Sequence, residues 1–126
     1  MITPLAIADL KLEHFTTKSE RDGSTIVVRL HGNADGEVQT DLNVLLDQVH
    51  AEAKRLSVTQ AVVNLQDLYF MNSSCISLLV RWINGLSQDT GAHKYRIRFV
   101  SNPNLRWQKR ILSALSAMGQ QVVIIE

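Results

Sequence analysis

The sequence predicts an α/β domain, a mixed and mostly parallel sheet of about five strands with about three main helices. Three observations carry this. Short β-branched runs alternate along the chain with segments of helical period. A turn signal at Asp22-Gly23 sets a hairpin near the N-terminal end. The length of 126 residues and the 45% hydrophobic content suffice to close one core. Residues 1–126 are therefore expected to form a single domain.

Residues 24–32, STIVVRLHG, are rich in β-branched side chains and stop at Gly32, as a strand does. Its hairpin partner is expected over residues 7–15, where Leu10 and Leu12 alternate with Lys11 and Glu13. From Val38 the period changes: Leu42, Leu45, Leu46, Val49, Ala53 and Leu56 follow the i, i+3, i+4, i+7 spacing of a helix with one buried stripe. AVVNL, residues 61–65, is apolar without alternation, which predicts a central strand covered on both faces, followed by a loop, QDLYFMN. A second helix opens near Ser73, keeps helical spacing through Ile76, Leu79, Val80, Ile83 and Leu86, and is expected to run to Gly91. Residues 94–100, KYRIRFV, alternate basic with apolar side chains and read as a strand. The third helix is expected between Asn102 as N-cap, Pro103 as first helical residue and Gly119 as stop. QVVIIE closes the chain as a strand. Strands that alternate with helices need crossover connections, and these make the pairing parallel.

Composition excludes several classes. Lys plus Arg number 13 against 12 for Asp plus Glu, so no overall field draws the chain to nucleic acid or anionic lipid. One cysteine, Cys75, cannot form an internal disulfide, and no Cys/His set has zinc-ligand spacing; no metal or cofactor is expected. The N-terminal residues lack the basic start and long apolar region of a signal peptide, and no apolar run reaches the length of a membrane span. A cytoplasmic protein is the expectation.

Marks of common enzymes are missing. HGNADGE, with glycines at 32 and 36, lacks either standard phosphate-loop spacing. His14, His31, His50 and His93 are scattered, and His50 falls on the polar face of the first helix, where solvation is expected. Cys75, just inside an apolar helix, suits a small buried packing residue, although a helix N-terminus would favour its thiolate and a nucleophilic role. Lys94, Arg96, Arg98, Arg106, Lys109 and Arg110 read as solvated surface; Trp107 among them either packs inward or joins a partner-binding rim. No catalytic residue is assigned.

Asn72, Ser73 and Ser74 lie where a strand hands over to a helix, beside backbone N–H groups that lack partners and at the positive end of the helix dipole. One of the three must cap the helix. A phosphate on a serine here would bring close to two negative charges to a site that favours anions, and would alter a surface without unfolding the domain.

These residues resemble the STAS domain, whose founding members are bacterial anti-sigma factor antagonists. Gly32 and Asp35 in VVRLHGNAD resemble the family's G-x-x-D after the second strand. AVVNLQDLYFMNSSCISLLV, residues 61–80, is similar to its pattern of apolar strand, polar linker and Asp-Ser-Ser-Gly-Leu opening a helix. Two positions depart from it: Asn72 stands where Asp is usual and Cys75 where Gly is usual. The resemblance implies a non-enzymatic signalling module, phosphorylated on Ser73 (Ser74 as second candidate) by a dedicated serine kinase, restored by a PP2C-type phosphatase, and binding the kinase or an anti-sigma factor when unphosphorylated. It implies a partner surface over Asn33, Asp35, Met71, Asn72, Ser73, Ser74 and Cys75. The alternatives are a constitutive STAS subunit of a larger complex, such as a lipid transport system, and an enzyme that uses Cys75.

Overall fold

The computed structural model describes residues 5–89, 91 and 94–126. Five strands form one sheet in the order β1-β2-β3-β4-β5: β1 Phe15–Asp22, β2 Thr25–Ala34, β3 Gln60–Met71, β4 Arg96–Val100 and β5 Val123–Ile125. Helices α1 Gln39–Arg55, α2 Ser73–Ser87 and α3 Arg106–Met118 connect the parallel strands β2 to β5. The predicted α/β class, strand number and helix number match this architecture.

The first strand is displaced from its expected place. Residues 7–14 carry only an isolated bridge between Lys11 and Thr16, and β1 begins at Phe15. The turn explains it: Asp22 pairs with Thr25, so the hairpin has a two-residue loop, with Gly23 at φ +61 in its first position. A loop this short requires the partner strand to precede it directly. TTKSERD is polar because it forms an edge strand, where charges are tolerated and discourage pairing with other chains. The segment before it is pinned to α1 and β1 instead, by Ala8 N donating to Gln48 Oε1 at 3.0 Å and Leu10 N to Thr17 Oγ1 at 3.0 Å. Gly32 lies beneath this segment at φ +102, and any side chain there would run into the carbonyl of His14, so both space and backbone conformation require glycine.

The sheet is covered on one face only. Ile26, Val28 and Leu30, Ala61, Val63 and Leu65, and Ile97 and Phe99 are buried, while Arg29, Val62, Asn64, Arg96 and Arg98 between them are partly or wholly exposed. The expectation that AVVNL is covered on both faces is thus corrected. Each crossover steps the same way across the sheet, and crossovers of one hand then lay every helix on the same side; α1 packs on α2 and α2 on α3.

β3 runs on through the segment expected to be a loop. β4 ends opposite Asn64, beyond which β3 pairs with β2 alone. Two register shifts relative to β2, between Arg29 and His31 and between Gly32 and Asn33, insert extra residues into β3. The buried positions are consequently Leu65, Leu68 and Met71, three apart rather than two, and that spacing hid the strand. Gln108 of α3, fully buried, donates through Nε2 to the carbonyls of Leu65 at 2.7 Å and Leu68 at 3.0 Å and accepts from Asn102 N at 2.8 Å.

Two helix ends also differ. α2 stops at Ser87 rather than Gly91, its last carbonyls met by the Gln88 N–H; Asp89 then turns to take Lys54 Nζ at 2.5 Å and Gly91 N at 2.8 Å. Asn102 does not cap α3. Its Oδ1 accepts from Asn104 N at 2.9 Å and its Nδ2 donates to Gln66 O at 2.9 Å, which makes a turn over residues 102–105 and delays the helix to Arg106. Gly119 ends α3 as expected, and only glycine fits there, since a side chain would collide with Ile83.

Replacing Gln108 with Leu strips two buried carbonyls of their donor. We expect a loss of about 2–3 kcal/mol of unfolding free energy, read as a lower urea midpoint at unchanged slope.

Candidate functional site

β2 and β3 end side by side at the carboxyl edge of the sheet, where open α/β folds place their sites. Asn33 pairs with Phe70 and Ala34 with Met71, and Asn72 N donates to Ala34 O at 2.8 Å. Beyond Ala34, the Asp35 carboxylate accepts from Glu37 N at 3.0 Å and starts a single 3-10 turn, Gly36–Val38, ahead of α1. The Cys75 S–H points to the Asp35 carbonyl at 3.4 Å. Residues 33–36 and 71–75 therefore meet, as the resemblance implies.

Asn72 is the cap. Held extended at φ −79 and ψ 166, it accepts through Oδ1 from Ser74 N at 2.9 Å, Cys75 N at 3.2 Å and the Ser74 hydroxyl at 2.5 Å. The two serines are thereby separated. Ser74 is half-buried with its hydroxyl engaged, whereas Ser73, the first residue of α2, is exposed and its hydroxyl takes none of the capping bonds. Only the Ser73 carbonyl is used, accepting from Ser77 Oγ at 3.0 Å. An amide performs this capping as well as a carboxylate would, since one oxygen accepts every bond.

Met71 and Cys75 are buried, so within this surface they support Asn33, Asp35, Asn72, Ser73 and Ser74 rather than line it. Burial pushes the Cys75 thiol up from its ordinary value, which holds it protonated and makes it a packing residue.

His50 is not solvated as expected. It is half-buried with Nδ1 2.6 Å from the Tyr95 hydroxyl, which also accepts from Trp82 Nε1 at 2.7 Å. Burial raises the Tyr95 pKa well above its ordinary range, so the hydroxyl keeps its proton. This network ties α1 and α2 to the start of β4 and flanks a cavity of about 410 Å³ lined also by Asp47, Arg81 and Asp89. Sequence reasoning missed it because His50 and Tyr95 carry no joint pattern. His14 lies beside Glu13 at 3.7 Å, the exposed His31 sits edge-on to Tyr69, and His93 is outside the described residues. Trp107 packs against the core, which decides between its two readings. Arg96, Arg106, Lys109 and Arg110 are exposed and Arg98 pairs with Glu126. Among the described residues, no group of three or more His, Cys, Asp or Glu side chains could hold a metal ion, and no helix is long and apolar enough to cross a membrane.

No family model and no curated protein matches the sequence. Solved structures do match in three dimensions. An anti-sigma factor antagonist from Mycobacterium paratuberculosis superposes with a TM-score of 0.65 at 18% identity, over 87% of this chain and 85% of that one. The fold is that of the STAS-type anti-sigma factor antagonists. The antagonist SpoIIAA in its unphosphorylated form gives 0.54 at 21% identity, over 87% of each chain, and Bacillus SpoIIAA in its phosphorylated form gives 0.55 at 20%, over 87% and 90%. The antagonist fold thus accounts for the order of elements that the sequence suggested.

Asn72→Ala is expected to cost about 1–2 kcal/mol of stability, Asn72→Asp little, and Ser73→Ala less than about 0.5 kcal/mol. Urea unfolding of the three variants checks this separation of cap from neighbour. The Cys75 thiol of the same native samples should resist alkylation at neutral pH until denatured.

Proposed function

We propose that the chain is a cytoplasmic, non-enzymatic signalling module of the anti-sigma factor antagonist kind, its residues 1–126 acting as one domain. It binds a serine kinase that doubles as an anti-sigma-type factor, and phosphorylation of Ser73 ends that binding; a PP2C-type phosphatase restores it. The observation that carries this reading is the exposed Ser73 hydroxyl, free of the capping bonds, at the first position of α2 and beside the Asn33–Asp35 loop. A kinase can take this hydroxyl without breaking a native hydrogen bond. The phosphate then adds close to two negative charges at a place where the helix N-terminus favours them. Ser74, tied to Asn72, is the poorer acceptor. That SpoIIAA exists as phosphorylated and unphosphorylated forms of this fold supports the reading.

The test is the protein isolated from its native cells. Mass spectrometry is expected to find phosphate on the peptide that holds Ser73, and partners recovered with the parent and Ser73→Ala chains should be lost at least tenfold with Ser73→Asp. A complex indifferent to both variants, with no phosphate, would instead make the chain a constitutive subunit of a larger assembly.

A further inference from the structure

The bulges of β3 leave a feature that the core does not require. Of the seven aromatic side chains, Phe15, Tyr95, Phe99 and Trp82 are buried and Trp107 is half-buried against the core. The remaining two are neighbours: Tyr69 is 51% and Phe70 49% exposed, immediately before Met71 and Asn72. Exposing adjacent aromatic rings forfeits burial that each could have contributed, and clusters of this kind mark interaction sites.

The charges that the fold brings to the β2 side of the pair are acidic. Asn33, which pairs with Phe70, lines a shallow recess of about 220 Å³ together with Glu13, Asp35, Glu37 and Asp41, and Asp35, Glu37 and Asp41 make no ion pair to any described residue. Asp67, two residues before Tyr69, is exposed as well. A uniformly anionic surface, nucleic acid or lipid, meets repulsion here. A protein surface that carries cationic groups does not.

We propose that Tyr69 and Phe70 anchor a partner protein that presents an apolar recess, with cationic groups opposite Asp35, Glu37 and Asp41. The aromatics supply the contact energy and the acidic flank orients the partner and speeds encounter. A second copy docked through the same face would set these carboxylates against their own counterparts, so the surface suits a different, cationic protein rather than a second copy. The inference rests on the reading above for its location, at the edge of Ser73, and not for its chemistry.

The experiment compares tagged full-length chains in native cells and then measures the purified partner against each. Tyr69→Ser and Phe70→Ser should each weaken binding at least tenfold without shifting the thermal midpoint. Glu37→Gln with Asp41→Asn should slow association severalfold and flatten its salt dependence. Unchanged binding by the serine variants, or no protein retained by the parent chain, overturns the proposal. So does a concentration-dependent dimer that Phe70→Ser abolishes, which assigns the surface to a second copy. Loss with the aromatic variants but not with Ser73→Asp keeps this surface and sinks the switch; the opposite pattern does the reverse.

Discussion

The continuation of β3 beyond its neighbour β4 is the constraint on which the site depends. A strand that loses one partner exposes a row of carbonyls, and here two of them, at Leu65 and Leu68, face the protein rather than water. Gln108 meets both from α3, so a buried polar side chain 40 or more residues away holds the strand down where backbone pairing has ended. The bulges set the remaining geometry. They let Leu65, Leu68 and Met71 all reach the core, and they bring the chain to Asn72 at the level of Ala34, where the two backbones bond. Without that alignment the cap of α2 would not stand against the Asp35 loop.

Much of this was legible, for stated reasons. Helices α1 and α2 announce themselves because one stripe of each is apolar against a polar remainder, and that period survives any tertiary context. The junction at residues 72–74 was legible because few residue types satisfy orphan N–H groups. β1 was not, since an edge strand is selected for charge rather than for alternation, and the alternation over residues 7–15 pointed to the wrong segment despite the turn signal at Asp22-Gly23. The second half of β3 was misread as loop because bulging changes the period from two to three, and Tyr69 and Phe70 then look like stray apolar residues. Gln108, His50 and Tyr95 had no signal at all: each acts through a contact between distant elements that neither propensity nor spacing encodes.

The choice of Asn72 as cap separates the Ser73 hydroxyl from the bonds that hold the helix. A single amide oxygen takes the helix N–H groups and the Ser74 hydroxyl, and this leaves Ser73 with no role in holding the helix. Charge added there interacts with the dipole by about 0.3–1 kcal/mol, small beside the 5–15 kcal/mol that keeps a domain folded. At an interface the balance is different. A dianionic group set at the edge of an aromatic contact must be desolvated or paired by any protein that covers it, and an unpaired buried charge costs several kcal/mol. The proposed phosphorylation of Ser73 would therefore be nearly neutral for the fold and decisive for a complex. A neutral Asn72 adds to this asymmetry: position 72 itself brings no carboxylate that would repel a phosphate on the proposed acceptor.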